Sequence, residues 1–106
     1  HGIYHVSFST REHRVLSPGA RDTVRDALLH FDRQRYDLYA LCVMPDHVHV
    51  LFQPRIKHTD PDGTAVFWSL KELMHSIKSF TATEINKLEQ TSGAQVWENE
   101  YHDRLM

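Results

Sequence analysis

A chain of 106 residues, 41% of them hydrophobic, has room for one packed core rather than two domains. Its formal net charge of −2 argues against a coat for nucleic acid, although a local basic patch stays open, and its one cysteine, Cys42, excludes an internal disulfide. No run approaches the ~18 apolar residues of a membrane span and no signal peptide opens the chain, so a cytoplasmic location with no membrane partner is expected.

From Ile3 to Thr10, Tyr4, Val6 and Phe8 alternate with His5, Ser7 and Ser9, the period of a half-buried strand. Arg11 to Arg14 reads as a charged surface loop, with a phosphate contact by Arg11 or Arg14 as the alternative. Ser17 before Pro18 is a helix start: the hydroxyl caps, and proline suits the first helical position. Val24, Ala27, Leu28 and Phe31 then share one face, opposite Arg21, Asp22, Arg25 and Asp26, in a helix of about four turns that frays near Gln34. Tyr36 to Met44 is the second strand. Met44, Pro45 and Asp46 turn the chain into the third, where Val48, Val50 and Phe52 alternate with His47, His49 and Leu51.

Pro54 to Ala65 has two prolines, a glycine and no period, and reads as a functional or mobile loop. Ser69 and Glu72 form a capping box ahead of Leu70, Leu73, Met74, Ile77, Phe80, Thr81, Ile85 and Leu88, which predicts a long second helix ending near Gly93. Its polar side carries Lys71, His75, Lys78 and Lys87, a basic edge that is either a solvated face or a nucleic-acid contact. Gln95 to Trp97 is expected to form a final short strand.

The order strand, helix, strand, strand, helix, strand matches an α+β, ferredoxin-like split βαβ arrangement. Right-handed crossovers put the first and third strands at the centre of an antiparallel sheet with two helices on one face. If Val48, Val50 and Phe52 face the helices, His47 and His49 look out from the open face, with His5 on the same side. Two imidazoles at i and i+2 on a rigid strand can hold one metal ion. Among nine histidines the bare spacing arises by chance about once, so a satisfied structural pair stands as the alternative.

MPDHVHVLF, then ELMHSIKSFTATEIN, then VWENEYHDRLM together resemble the REP-associated tyrosine transposases and their relatives among the bacterial transposases of the HUH superfamily. The resemblance spans nearly the whole chain. It implies an endonuclease and strand transferase that binds single-stranded or hairpin DNA and cuts it with a tyrosine nucleophile. His47 and His49 match the family's two histidines, which hold a divalent metal, Mg2+ or Mn2+. The nucleophilic tyrosine, and a polar residue that helps bind metal, are expected on a helix beyond the W-x-x-x-Y-x-D-x-x segment, and hence beyond Met106. Residues 1–106 are accordingly expected to form a single HUH-like domain lacking that helix. Of the tyrosines present, Tyr4, Tyr36 and Tyr39 fall in predicted strands, which leaves Tyr101 as a substitute nucleophile or as a structural or DNA-positioning residue.

Lys71, Lys78, Arg11 and Arg14 are the candidate DNA contacts, and a homodimer is open to the chain. Two other classes stay in view. One is a hairpin-binding module without cleavage; the other is a small metal-dependent hydrolase using Asp46, His47 and His49.

Overall fold

Six strands and two α-helices follow one another along residues 2–106, the residues that the computed structural model describes. They are β1 (Tyr4–Ser9), α1 (Pro18–His30), β2 (Tyr36–Val43), β3 (His47–Pro54), β4 (Ile56–Thr59), β5 (Ala65–Phe67), α2 (Leu70–Glu89) and β6 (His102–Leu105). Four strands make one sheet in the order β2-β3-β1-β6, and every neighbouring pair is antiparallel. That is the ferredoxin-like arrangement, with β1 and β3 central.

Alternation decides which side of the sheet is covered. Val6 and Phe8 from β1 and Val48, Val50 and Phe52 from β3 are buried together with Val24 and Leu28 of α1 and Leu73, Met74, Ile77 and Ile85 of α2. Burying each such side chain stabilises the fold by about 1.5–3 kcal/mol, so both helices are drawn to this one face. The Ser17 hydroxyl accepts a hydrogen bond from the Ala20 amide at 3.1 Å at the start of α1, with Pro18 following it. Ser69 and Glu72 complete a reciprocal capping box at the start of α2. Both caps satisfy amides that the helical ladder leaves unpaired. Among the described residues no helix is long and apolar enough to cross a membrane.

Three expectations are corrected. The final strand is not Gln95–Trp97 but His102–Leu105, which pairs with β1 as an edge strand. All four of its residues are exposed, so it has no apolar alternation to betray it, and its charged residues suit an edge that must not recruit other strands. Trp97 is instead a buried anchor with a single bridge to Thr10.

The segment after Pro54 is not a bare loop. It holds the β4–β5 hairpin, closed by a turn in which the Asp60 amide donates to the Thr64 carbonyl at 2.8 Å and Gly63 takes a φ of 89°. Every β4 residue is exposed, which again hides the strand from a hydrophobic pattern. Finally, α2 ends at Glu89, ahead of Gly93, because Gln90 itself adopts the left-handed conformation that stops a helix.

Candidate functional site

β3 alternates between outward and buried residues along its whole length, so His47, His49 and Leu51 stand on the open face while Val48, Val50, Phe52 and Pro54 point inward. The hairpin turn before it is held from outside. The Pro45 carbonyl accepts the Leu16 amide at 2.7 Å, and the Asp46 carbonyl accepts both the Thr10 amide at 2.9 Å and the Thr10 hydroxyl at 3.1 Å. Thr10 is itself buried. The backbone that launches His47 is thereby fixed by a neighbouring loop as well as by its own strand pairing.

The two rings sit with centroids 5.0 Å apart and planes at right angles. His47 Nδ1 lies 2.8 Å from Asp46 Oδ1, and because an ionised carboxylate only accepts, Nδ1 carries a proton and, in the neutral ring, the lone pair is on Nε2. The hydrogen bond with His47, reinforced by positive charge on His47 and His13, holds the Asp46 carboxyl below the usual carboxylate range. For His49 burial is the main influence, followed by the repulsion that His47 and His5 exert when protonated, and together they lower its pKa below that of an ordinary histidine. A neutral imidazole is the form that binds metal.

His5, which the alternation merely placed on the same face, turns out to be in contact with the pair. Its Nε2 is 3.1 Å from His49 Nδ1, and the two rings lie edge to edge with centroids 5.3 Å apart and planes within 7° of parallel. In the β1–β3 register His5 faces Leu51 and Ser7 faces His49, so the histidines meet on a diagonal. Asp46 as the group that orients His47 was also not anticipated, although an aspartate next to the first histidine at a tight turn was its signal. Among the described residues no group of three or more His, Cys, Asp or Glu side chains is placed to hold one ion. A metal here would take the two imidazoles from the protein and further oxygen ligands from water or substrate, a donor set compatible with Mg2+ or Mn2+.

Of the candidate DNA contacts, Lys71 and Lys78 line one groove, and Arg11 and Arg14 lie outside its lining. Arg14 is folded into a network with Glu89 at 2.8 Å, Thr91 at 2.9 Å and Asn86 at 3.4 Å, tying the 10–16 loop to the end of α2. Arg11 donates to the Gln95 side chain at 2.7 Å. Lys78 donates to the Glu98 carbonyl at 2.5 Å, and burial lowers its pKa. Lys71 is exposed, at the rim of a groove of about 790 Å³ that runs between α2 and residues 94–102.

Tyr101 lines that groove and packs against the core; burial, then the charge of Asp103, raises its pKa. Tyr36 is buried with its hydroxyl donating to the Leu28 carbonyl at 2.5 Å, Tyr4 packs against the core, and Tyr39 is an exposed strand residue.

The crystal structure of a "putative transposase" from Deinococcus radiodurans R1 superposes with a TM-score of 0.69 at 25% identity, covering 98% of this chain and 78% of that one. A REP-associated tyrosine transposase bound to a REP hairpin has the same fold, with a TM-score of 0.61 at 14% identity; the match covers 99% of this chain but 56% of that one. No curated protein matches the chain. The sequence profile of the family described as "Transposase IS200 like" matches residues 1–104, which is all but the last two residues, and the chain therefore belongs to the IS200-like transposase family.

Proposed function

We propose that this domain binds single-stranded or hairpin DNA and, with a divalent Mg2+ or Mn2+ held by His47 and His49, takes part in strand cleavage and transfer through a phosphotyrosine. The observation that carries this is the pair itself: two rings 5.0 Å apart on a central strand, presented on the uncovered face, with the first already oriented by Asp46. The family supplies the reaction class, and the REP hairpin held by a structural neighbour gives the substrate to try first.

In this chemistry a phenol oxygen bonds to phosphorus and gives up its proton, while the leaving DNA oxygen departs and takes one up. Attack by another DNA hydroxyl reverses the step and completes transfer with no external energy source. When bound, the metal would polarise the scissile phosphate and offset charge on its oxygens. The protein's own part is to present both imidazoles side by side on the open face, with His47 oriented by Asp46.

A nucleophile has to come within about 3–3.5 Å of phosphorus, in line with the leaving oxygen. Tyr36 is buried, Tyr4 and Tyr101 pack against the core, and Tyr39, though exposed, donates its hydroxyl to the Gln53 side chain at 3.2 Å. These placements favour a tyrosine supplied from outside residues 1–106. Residues 1–106 mixed with labelled hairpin DNA and Mn2+ should retard the DNA on a native gel and leave no band after denaturation. An adduct formed by this chain and lost in Tyr101→Phe would overturn the assignment and make Tyr101 the nucleophile.

On the DNA side, Lys71 is an exposed cation of the basic edge. Lys71→Ala should weaken binding to all sequences alike and reduce the salt slope by about one phosphate contact. An unchanged slope would leave Lys71 as a solvated residue.

A further inference from the structure

We infer that His5 is a positioning residue for His49, an inference that rests on the reading of His47 and His49 as the metal-holding pair: His5 accepts the Nδ1 proton of His49 and leaves the His49 Nε2 lone pair directed at the ion. A neutral imidazole carries one proton, so only the nitrogen without it can be a ligand. For His47 the choice is made by the Asp46 carboxylate at 2.8 Å from Nδ1. Among the described residues no carboxylate is hydrogen-bonded to His49 Nδ1; its partner there is His5 Nε2 at 3.1 Å.

Two imidazole nitrogens at that distance share one proton. If it sat on His5 Nε2, His49 would have to carry its own proton on Nε2 and could not bind metal through that atom. If it sits on His49 Nδ1, both members of the pair present Nε2. The geometry equips His5 for this task. It lies on a central strand, with Leu51 on one side and Arg104 on the other in register, and its ring is within 7° of parallel to that of His49. Such a ring sets orientation as well as protonation, which is what outer groups around a metal ligand do.

There is also a reason for an imidazole here rather than a second carboxylate. The ion must meet a phosphodiester, which is anionic, and another fixed negative charge beside it would repel the substrate. Asp46 sits at the turn, one residue before the strand; His5 lies on the sheet itself, and as a neutral acceptor it orients its partner without adding charge.

The experiment is carried out first on the metal-free protein. Long-range proton–nitrogen NMR at a pH where the rings are neutral should show His47 and His49 both protonated on Nδ1. In His5→Phe, which keeps a ring but has no acceptor, His47 should be unchanged while His49 loses its single tautomer. Mn2+ affinity should fall about 10–100-fold in that variant. His5→Gln, whose amide oxygen can accept the same proton, should restore much of both. Wild-type His49 protonated on Nε2, or a His5→Phe protein with unchanged tautomer and affinity beside a His49→Ala protein that has lost the metal, would overturn the role of His5. Equal Mn2+ affinity in wild type and His49→Ala would instead sink the metal reading, and with it the purpose assigned to His5.

Discussion

His49→Ala is expected to lose Mn2+ binding by about 100-fold or more while melting within about 1 kcal/mol of the wild-type protein. The two expectations have separate physical origins. His49 is one of only two protein donors in the proposed site, and loss of a direct ligand should exceed the ~10–100-fold cost typical of losing an outer-shell partner. Its ring, however, lies on the open face and touches other imidazoles rather than the apolar layer. Surface substitutions that leave no cavity and strand no buried polar group have small effects on stability. Titrating Mn2+ by calorimetry alongside urea melts separates the two quantities. Equal affinity in the two proteins would remove the metal site; a large loss of stability would show that the histidines are structural instead.

How much of this was legible depended on whether a residue's role is set by its own strand or by a neighbour's register. The facing of His47 and His49 follows from β3 alone, since one apolar set of Val48, Val50 and Phe52 can be buried in only one way. The same reasoning gave α1 and α2, whose caps and stripes are local. The contact between His5 and His49 was not readable, because it depends on β1 pairing Ser7 with His49, and no local pattern states a cross-strand register. β4 and β6 were hidden for a different reason. Their residues are exposed, so backbone pairing rather than burial makes them strands. The partners of the candidate cations were not legible either: Arg14 is tied to Glu89 and Lys78 to a backbone carbonyl, both distant in sequence.

Trp97→Ala should destabilise the domain by about 3–5 kcal/mol, the usual cost of emptying a large aromatic site in a core. Set against a total stability of about 5–15 kcal/mol, this could leave a substantial unfolded fraction. Trp97 is 4% exposed, packs edge-on against Phe8 with centroids 4.8 Å apart, and donates its indole N–H to the Thr81 hydroxyl at 3.0 Å. It therefore pins residues 94–98 between β1 and α2. The same segment accepts the Arg11 amide on the Val96 carbonyl and donates the Glu98 amide to Ser9, on either side of Thr10. Thr10 in turn grips the carbonyl of Asp46 and so the turn that launches His47. The loss should accordingly reach the site, lowering Mn2+ affinity in whatever fraction remains folded. Trp97→Phe keeps most of the volume and loses only the bond to Thr81, whose hydroxyl still donates to the Ile77 carbonyl at 2.6 Å; a cost near 1 kcal/mol is expected. Urea melts of both variants, with Mn2+ titrations on the folded protein, provide the check. A Trp97→Ala protein within 1 kcal/mol of wild type would mean that residues 94–98 are not part of the cooperative core, and unchanged Mn2+ affinity in it would break the chain of support from Trp97 through Thr10 to the histidine turn.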